Sequence, residues 1–299
     1  MARMCSPLRY PGGKAVLGRF LAEVVDCNGL HGGRYYEPYA GGAGAALDLL
    51  TQGHVSEIFI NDADYAVASF WTAVTTQNAR FLDTLAAAPI TVDEWRRQKA
   101  IYRQGKKAAP FSLGFAAFFL NRTSRSGILT KSGPIGGYDQ AGPYKLDARL
   151  NKAAMANRLA VLADHKNAIH VFNSDAIAFL KAALPPRASA DRRKVLVYLD
   201  PPYYAQGSRL YLNYYQPRDH AVLARYMAAQ HVLPWLMSYD NTPEIRALYP
   251  QCDTFEFSLN HSTQNTRRDP ELLIVPGHVA LPVHIELYGE KIPLPRKAA

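Results

Sequence analysis

Asp200-Pro201-Pro202-Tyr203 puts a carboxylate, two residues lacking an N–H donor and an aromatic ring on four consecutive positions. Each proline fixes φ and removes a donor, so the turn is rigid and presents carbonyl acceptors. Asp200 and the Pro201 carbonyl can then accept both hydrogens of one exocyclic amine. The lone pair of such an amine is normally delocalised into its ring. Accepting both hydrogens favours a pyramidal nitrogen and returns the pair for attack. Tyr203 adds a ring face for a base to stack on, worth about 1–3 kcal/mol in single-strand binders. The plain structural alternative is an Asp-Pro turn with a packed tyrosine.

A second cluster lies at Glu37-Pro38-Tyr39-Ala40-Gly41-Gly42, where a carboxylate and a glycine turn follow a short apolar run. Ligands of open α/β sheets bind at such strand ends, and glycine lets them approach the main chain closely. Asp62 follows the next strand-like run, 20 residues after Gly42, where a carboxylate can accept from ribose hydroxyls. A dinucleotide fingerprint fits less well. Gly42-Ala43-Gly44-Ala45-Ala46-Leu47 lacks the third glycine, and Glu37 would repel a pyrophosphate. A cationic, nucleoside-bearing cofactor suits Glu37 better, S-adenosylmethionine being one. An ordinary strand-to-helix turn is the other reading.

The elements needed to position these groups follow from hydrophobic period. Strands are expected at 34–37, 57–60, 168–172, 194–199 and 233–238. Helices are expected at 14–25, 45–50, 63–75, 147–163, 175–183, 218–229 and 243–249, with a final hairpin pairing 253–259 with 271–275 across a polar loop at 260–269. Such βα alternation builds a parallel sheet covered by helices. It lapses between 88 and 151, where helices at 92–103 and 112–122 precede a glycine- and serine-rich loop at 123–142. The expected architecture is one α/β domain, 1–87 with 152–299, interrupted by a mainly helical lobe at 88–151.

Composition narrows the function. The 299 residues are 48% hydrophobic and carry a net charge of +9, which attracts polyanions. Twelve basic residues between Arg96 and Lys152 face only Asp139 and Asp147, so the excess belongs to the lobe. No apolar run approaches the roughly 20 residues of a membrane span, and Met1 to Pro7 has no signal-peptide core, which points to the cytoplasm. Cys5, Cys27 and Cys252 are too few and too scattered for a disulfide framework or a thiolate cluster. The nine histidines show no metal-ligand spacing.

Taken together, these motifs resemble the Dam-like (D12) family of DNA adenine-N6 methyltransferases, in the α-type motif order. Tyr10-Pro11-Gly12-Gly13-Lys14 resembles the family's N-terminal segment at the methionine end of the cofactor, so Tyr10 and Lys14 join the expected cofactor residues. The segment 37–42 resembles the first-strand cofactor motif, assigning Glu37, Pro38, Tyr39, Ala40, Gly41 and Gly42. Tyr39 stands where phenylalanine is usual. Asp62 matches the ribose-binding acid, Asp175 the acid near the cofactor adenine, and Asp200, Pro201, Pro202 and Tyr203 the catalytic tetrad, with Asp200 also beside the cofactor. Phe118-Phe119-Leu120-Asn121-Arg122 resembles the start of the target-recognition region, and Thr266 to Leu273 the final hairpin.

The resemblance implies a Rossmann-like S-adenosylmethionine-dependent methyltransferase sheet with a C-terminal antiparallel hairpin and an inserted basic DNA-recognition lobe. It further implies methylation of the N6 amine of a flipped adenine, with double-stranded DNA as partner and neither metal nor membrane. Arg122, Ser124, Arg125, Ser126 and Lys131 are then the candidates for base edges, with Arg267 and Arg268 for phosphates. The competing readings are a methyltransferase acting on RNA adenine or another amino group, and a basic DNA-binding module with a vestigial cofactor fold.

Overall fold

The computed structural model describes residues 6–9, 14–130, 132–205, 215–262 and 266–294, and for 259–262 and 266–269 the backbone alone. Tyr10 and Lys131 fall outside the described residues, as do the side chains of Arg267 and Arg268. A short 3-10 turn at Lys14–Leu17 leads into α1 (Gly18–Cys27). Then follow β1 (Gly33–Glu37), α2 (Gly44–Thr51), β2 (Val55–Asn61), α3 (Tyr65–Thr76) and α4 (Asn78–Ala87). Next come α5 (Val92–Arg103), α6 (Pro110–Thr123), α7 (Lys152–Asp164), β3 (Ile169–Phe172), α8 (Ala176–Ala183) and β4 (Val195–Leu199). The chain continues through α9 (Pro217–Ala228), β5 (Trp235–Asp240), α10 (Pro243–Leu248), β6 (Cys252–Ser262) and β7 (Thr266–Pro276). A two-stranded hairpin, β8 (His284–Leu287) with β9 (Glu290–Pro293), follows.

Seven strands form one sheet in the order β3-β2-β1-β4-β5-β7-β6. The first five are parallel, and β7 is antiparallel to both β5 and β6. Successive side chains of a strand point to opposite faces, and the apolar residues divide accordingly. Tyr35, Leu196, Tyr198, Leu236 and Leu273 join one core. Tyr36, Val195, Val197, Leu199, Trp235, Met237, Leu272 and Ile274 join the other. A sheet buried on both faces explains why β4 reads as an unbroken apolar run with all five residues buried. The α/β class, parallel order and terminal antiparallel pair agree with the sequence reading.

The strand order reverses between β1 and β4, since β2 lies on one side of β1 and β4 on the other. Ligands of such sheets bind at this switch point, outside the carboxyl ends of the strands. Register pairs Tyr36 with Val197 and Glu37 with Ile60. Glu37, Asp62 and Asp200 therefore leave three adjacent strands at the same end.

Three features of the fold bear on the expectations. First, the helical part of 88–151 packs into the core of the domain. Phe115, Phe118, Phe119 and Leu120 of α6 and Trp95 of α5 share one core with Phe70 of α3, Phe81 of α4 and the sheet. α6 lies so close to α3 that a Cβ on Gly114 would sit 2.5 Å from the Ser69 carbonyl oxygen, which is why glycine occupies that helical position. Second, the polar stretch 260–269 is mostly strand: Asn260 pairs with Arg268 and His261 with Arg267, placing both arginines on β7 rather than in a loop. Third, α4 and the β8–β9 hairpin appear where no element is expected. Among the described residues no helix is long and apolar enough to cross a membrane.

Candidate functional site

Asp200 stands one residue beyond β4, with a side chain 21% exposed. Its Oδ1 accepts from Ser238 Oγ at 2.9 Å and lies 3.2 Å from Lys14 Nζ. Ser238, on β5, also shares a 2.7 Å hydrogen bond with the Tyr198 hydroxyl, so β4 and β5 jointly orient the carboxylate. Both contacts end on Oδ1, leaving Oδ2 to accept from an incoming amine. Burial pushes the Asp200 carboxyl up, and the Lys14 charge draws it back toward the ionised form.

Lys14 is buried and reaches across to the tetrad. Its ammonium donates to the Tyr203 hydroxyl at 3.0 Å and lies 3.5 Å from Glu271 Oε1. Burial lowers its pKa, and Asp200 and Glu271 more than reverse that, so Lys14 stays charged. The turn carrying Lys14 packs on the start of α2, where a Cβ on Gly44 would meet Ala15 Cβ at 2.7 Å. Only glycine admits that approach.

Tyr203 departs from expectation. Its hydroxyl donates to Glu271 Oε1, and the residue is only 8% exposed, so in this conformation the ring is packed rather than open to solvent. A buried phenol seeks a partner for its O–H, and Glu271, placed on β7 opposite Asp240 of β5, supplies it. Asp240 meanwhile accepts from the Tyr204 and Ala205 amides at 2.9 and 2.8 Å, fixing the chain beyond the tetrad.

Glu37 is buried, and its Oε2 has no hydrogen-bond partner. Burial raises its carboxyl well above the usual range, and the like charge of Asp200 adds to that. A buried, unpartnered carboxylate oxygen is costly unless a donor or cation reaches it. It fits the cationic end of S-adenosylmethionine, whereas a pyrophosphate would repel it. Asp62 accepts from the Gly41 amide at 2.9 Å and the Asp64 amide at 2.8 Å, and so pins the glycine turn. Burial pushes its carboxyl up to about 7 despite those bonds. Trp71 Nε1 donates to the Gly41 carbonyl at 2.9 Å from the other side. The Tyr39 hydroxyl, absent from a phenylalanine, shares a 2.7 Å hydrogen bond with that of Tyr215.

Asp175 caps α8, its Oδ1 accepting from the Ile177 and Ala178 amides at 2.9 and 3.2 Å. Such caps contribute about 1 kcal/mol. Asn61 binds this segment to the first-strand motif: its Nδ2 donates to the Pro38 and Ser174 carbonyls, and its Oδ1 accepts from the Ser174 amide.

Two expected DNA contacts lie inside the protein. Arg122 is buried, with Nε donating to the Pro7 carbonyl at 2.6 Å and Nη2 to the Ser6 carbonyl at 3.1 Å. Neighbouring Asn121 grips Arg9 by both main-chain groups, accepting at 2.6 Å and donating at 2.7 Å. Ser6 in turn donates to the Gly42 carbonyl. The end of α6 thus clamps the N-terminal segment over the glycine turn. Ser124 is fully buried and accepts from Trp95 Nε1 at 3.1 Å. Arg125 is exposed and Ser126 half-buried, beside the loop that begins there.

The site therefore unites Lys14, the 37–42 turn, Asp62 and the 200–203 turn. Sequence alone misses Glu271, Ser238, Asn61 and Asp240, whose partners lie on distant strands. The signal available was an acid or a hydroxyl inside an otherwise apolar strand, as Ser238 is.

The profile of the D12 class N6 adenine-specific DNA methyltransferases matches residues 10–266. No curated protein matches the chain significantly. Among solved structures, the rRNA methyltransferase aviRa from Streptomyces viridochromogenes is 13% identical, with a TM-score of 0.36 over 90% of this chain and 85% of that one. With a profile match over most of its length, the chain belongs to the D12 class N6 adenine-specific DNA methyltransferase family.

Proposed function

We propose that this methyltransferase takes adenine from duplex DNA by base extrusion and methylates its N6 amine at the Asp200 turn. The observation carrying this reading is the pair of acids at the switch point, Glu37 with a buried unpartnered Oε2 and Asp200 with Oδ2 turned to neither Lys14 nor Ser238. S-adenosylmethionine, when bound, supplies a methyl group on a cationic sulfur. Glu37 would face its positive end, Asp62 its ribose hydroxyls and Asp175 its adenine. Lys14, Tyr39 and the main chain at Pro38, Ala40, Gly41 and Gly42 would close the pocket, and Tyr10, outside the described residues, is a further candidate for cofactor binding.

An adenine amine inside a base-paired stack is out of reach, so the base must be extruded first. Asp200 Oδ2 and the Pro201 carbonyl then accept its two hydrogens and aim the nitrogen lone pair. The Lys14 charge favours the anionic form of Asp200, the form that accepts. The lone pair so aimed would take the methyl group as its bond to sulfur breaks, and positioning would supply much of the rate. The surplus proton leaves the nitrogen with or after methyl transfer, so Asp200 acts as acceptor and stabiliser more than as a strong base. Pro202 holds the turn rigid. Stacking on Tyr203 would expose a ring held by Glu271 and Lys14, so base entry and ring exposure become one event. Arg125 and Ser126, with Lys131, Arg267 and Arg268, are the proposed DNA contacts; Arg122 and Ser124 are not.

Sequencing methylated positions in DNA from cells expressing the chain would supply the target. Duplexes carrying that target with a mismatch opposite the adenine should then bind severalfold more tightly than the paired duplex, because less pairing energy opposes extrusion. Equal affinity would contradict base extrusion.

A further inference from the structure

Asp26 and His31 are five residues apart and His54 follows 23 residues later, and the fold brings one ligand atom of each within 4.8 Å of the others. Asp26 lies in the last turn of α1, His31 in the turn before β1, and His54 in the turn before β2. All three sit at the amino ends of β1 and β2, opposite the Glu37 and Asp62 end. Backbone hydrogen bonds fix the two turns. Gly29 N–H donates to the Asp26 carbonyl at 3.1 Å, Gly33 N–H to Leu30 at 2.8 Å and His54 N–H to Leu49 at 2.9 Å. One further bond, Gly32 N–H to the His54 carbonyl at 2.9 Å, stitches the turns together. The imidazole rings are 6.1 Å apart and nearly perpendicular, at 84°. His31 Nδ1 lies 3.7 Å from Asp26 Oδ1. His54 Nδ1 is buried and has no hydrogen-bond partner.

We propose that these three residues bind one divalent ion of the zinc class. Two imidazoles and one carboxylate match zinc and its neighbours, whereas magnesium and calcium prefer all-oxygen sites. Three protein ligands leave a fourth position for water. Zinc–ligand bonds of about 2.0–2.2 Å put tetrahedral ligand atoms about 3.4 Å apart, so the site must contract on binding. His31 and Asp26, with side chains 67% and 58% exposed, are free enough to swing inward. At the far end of the sheet the ion takes no part in methyl transfer. It ties the end of α1 to the turns entering β1 and β2 and stabilises the folded chain by mass action.

Tag-free protein stripped with chelator and titrated with zinc sulfate by calorimetry tests the site. The wild-type chain should bind one equivalent and show a higher Tm with zinc. The His31→Ala/His54→Ala pair should lose both responses, while Cys27→Ser, adjacent in sequence and exposed, should keep them. Removing zinc should leave methyl transfer by the wild-type chain unchanged. No zinc binding by the wild-type chain would overturn the proposal. So would unchanged binding by the double variant, or loss of binding in Cys27→Ser, which would place the metal on the thiolate.

Discussion

Glu37 and Asp62 both carry carboxyl groups held above their usual range by burial, Asp62 at about 7. A cation or a hydroxyl donor prefers the ionised form of each, so binding of S-adenosylmethionine must release protons. Affinity should therefore rise with pH, the part due to Asp62 levelling off above about 7, by at most about tenfold per pH unit for each proton released. Asp62→Asn should flatten part of this slope, leaving what Glu37 contributes. Calorimetric titration at several pH values checks this; a flat profile in the wild-type chain would contradict both assignments. Residue type and place at a strand end made Glu37, Asp62 and Asp200 legible in the sequence. Glu271 was not, because its meaning depends on β7 lying beside β5, and His31 and His54 were not, because two turns 23 residues apart meet only in the fold.

At the scale of elements, the end of α6 packs toward the glycine turn through the N-terminal segment. Its last residues, Asn121 and Arg122, hold residues 6–9 against the glycine turn. Arg122→Ala removes two hydrogen bonds from a charged donor, each worth about 1.5–3 kcal/mol. It should weaken S-adenosylmethionine binding by tenfold or more while leaving the preferred DNA sequence unchanged. A changed recognition sequence with normal cofactor affinity would restore Arg122 to the DNA surface. Sequence could not separate these roles, since a buried arginine bonded to carbonyls and an exposed one facing phosphate look the same in a basic segment. The hairpin shows a second limit. β7 pairs with β5 only from Glu271 to Ile274, so beyond Glu271 the β6–β7 arm leaves the rest of the sheet. With no sheet face to cover there, the strands carry no apolar alternation and read as a polar loop. The helix α5, with one wet face, was legible to the residue, at 92–103.

Across the whole molecule, the positive charge of 96–152 stays largely on the surface. Among the described residues Lys99 and Arg122 are the buried exceptions, and Lys99 donates to the Leu129 and Thr130 carbonyls. Duplex binding should accordingly be steeply salt-dependent. Arg125→Ala should reduce the slope of log affinity against log salt by about one if the side chain meets a phosphate. An unchanged slope and unchanged target preference would remove Arg125 from the interface. The central claim, that Asp200 holds the adenine amine before a cofactor seated at Glu37, is tested most directly by methyl transfer. Radiolabelled S-adenosylmethionine, unmethylated duplex DNA and the wild-type chain should put label in N6-methyladenine. Asp200→Asn should keep cofactor binding within severalfold by calorimetry and lose about 10²–10⁴-fold in turnover. Label in cytosine or in RNA alone, or near-normal turnover by Asp200→Asn, would contradict it.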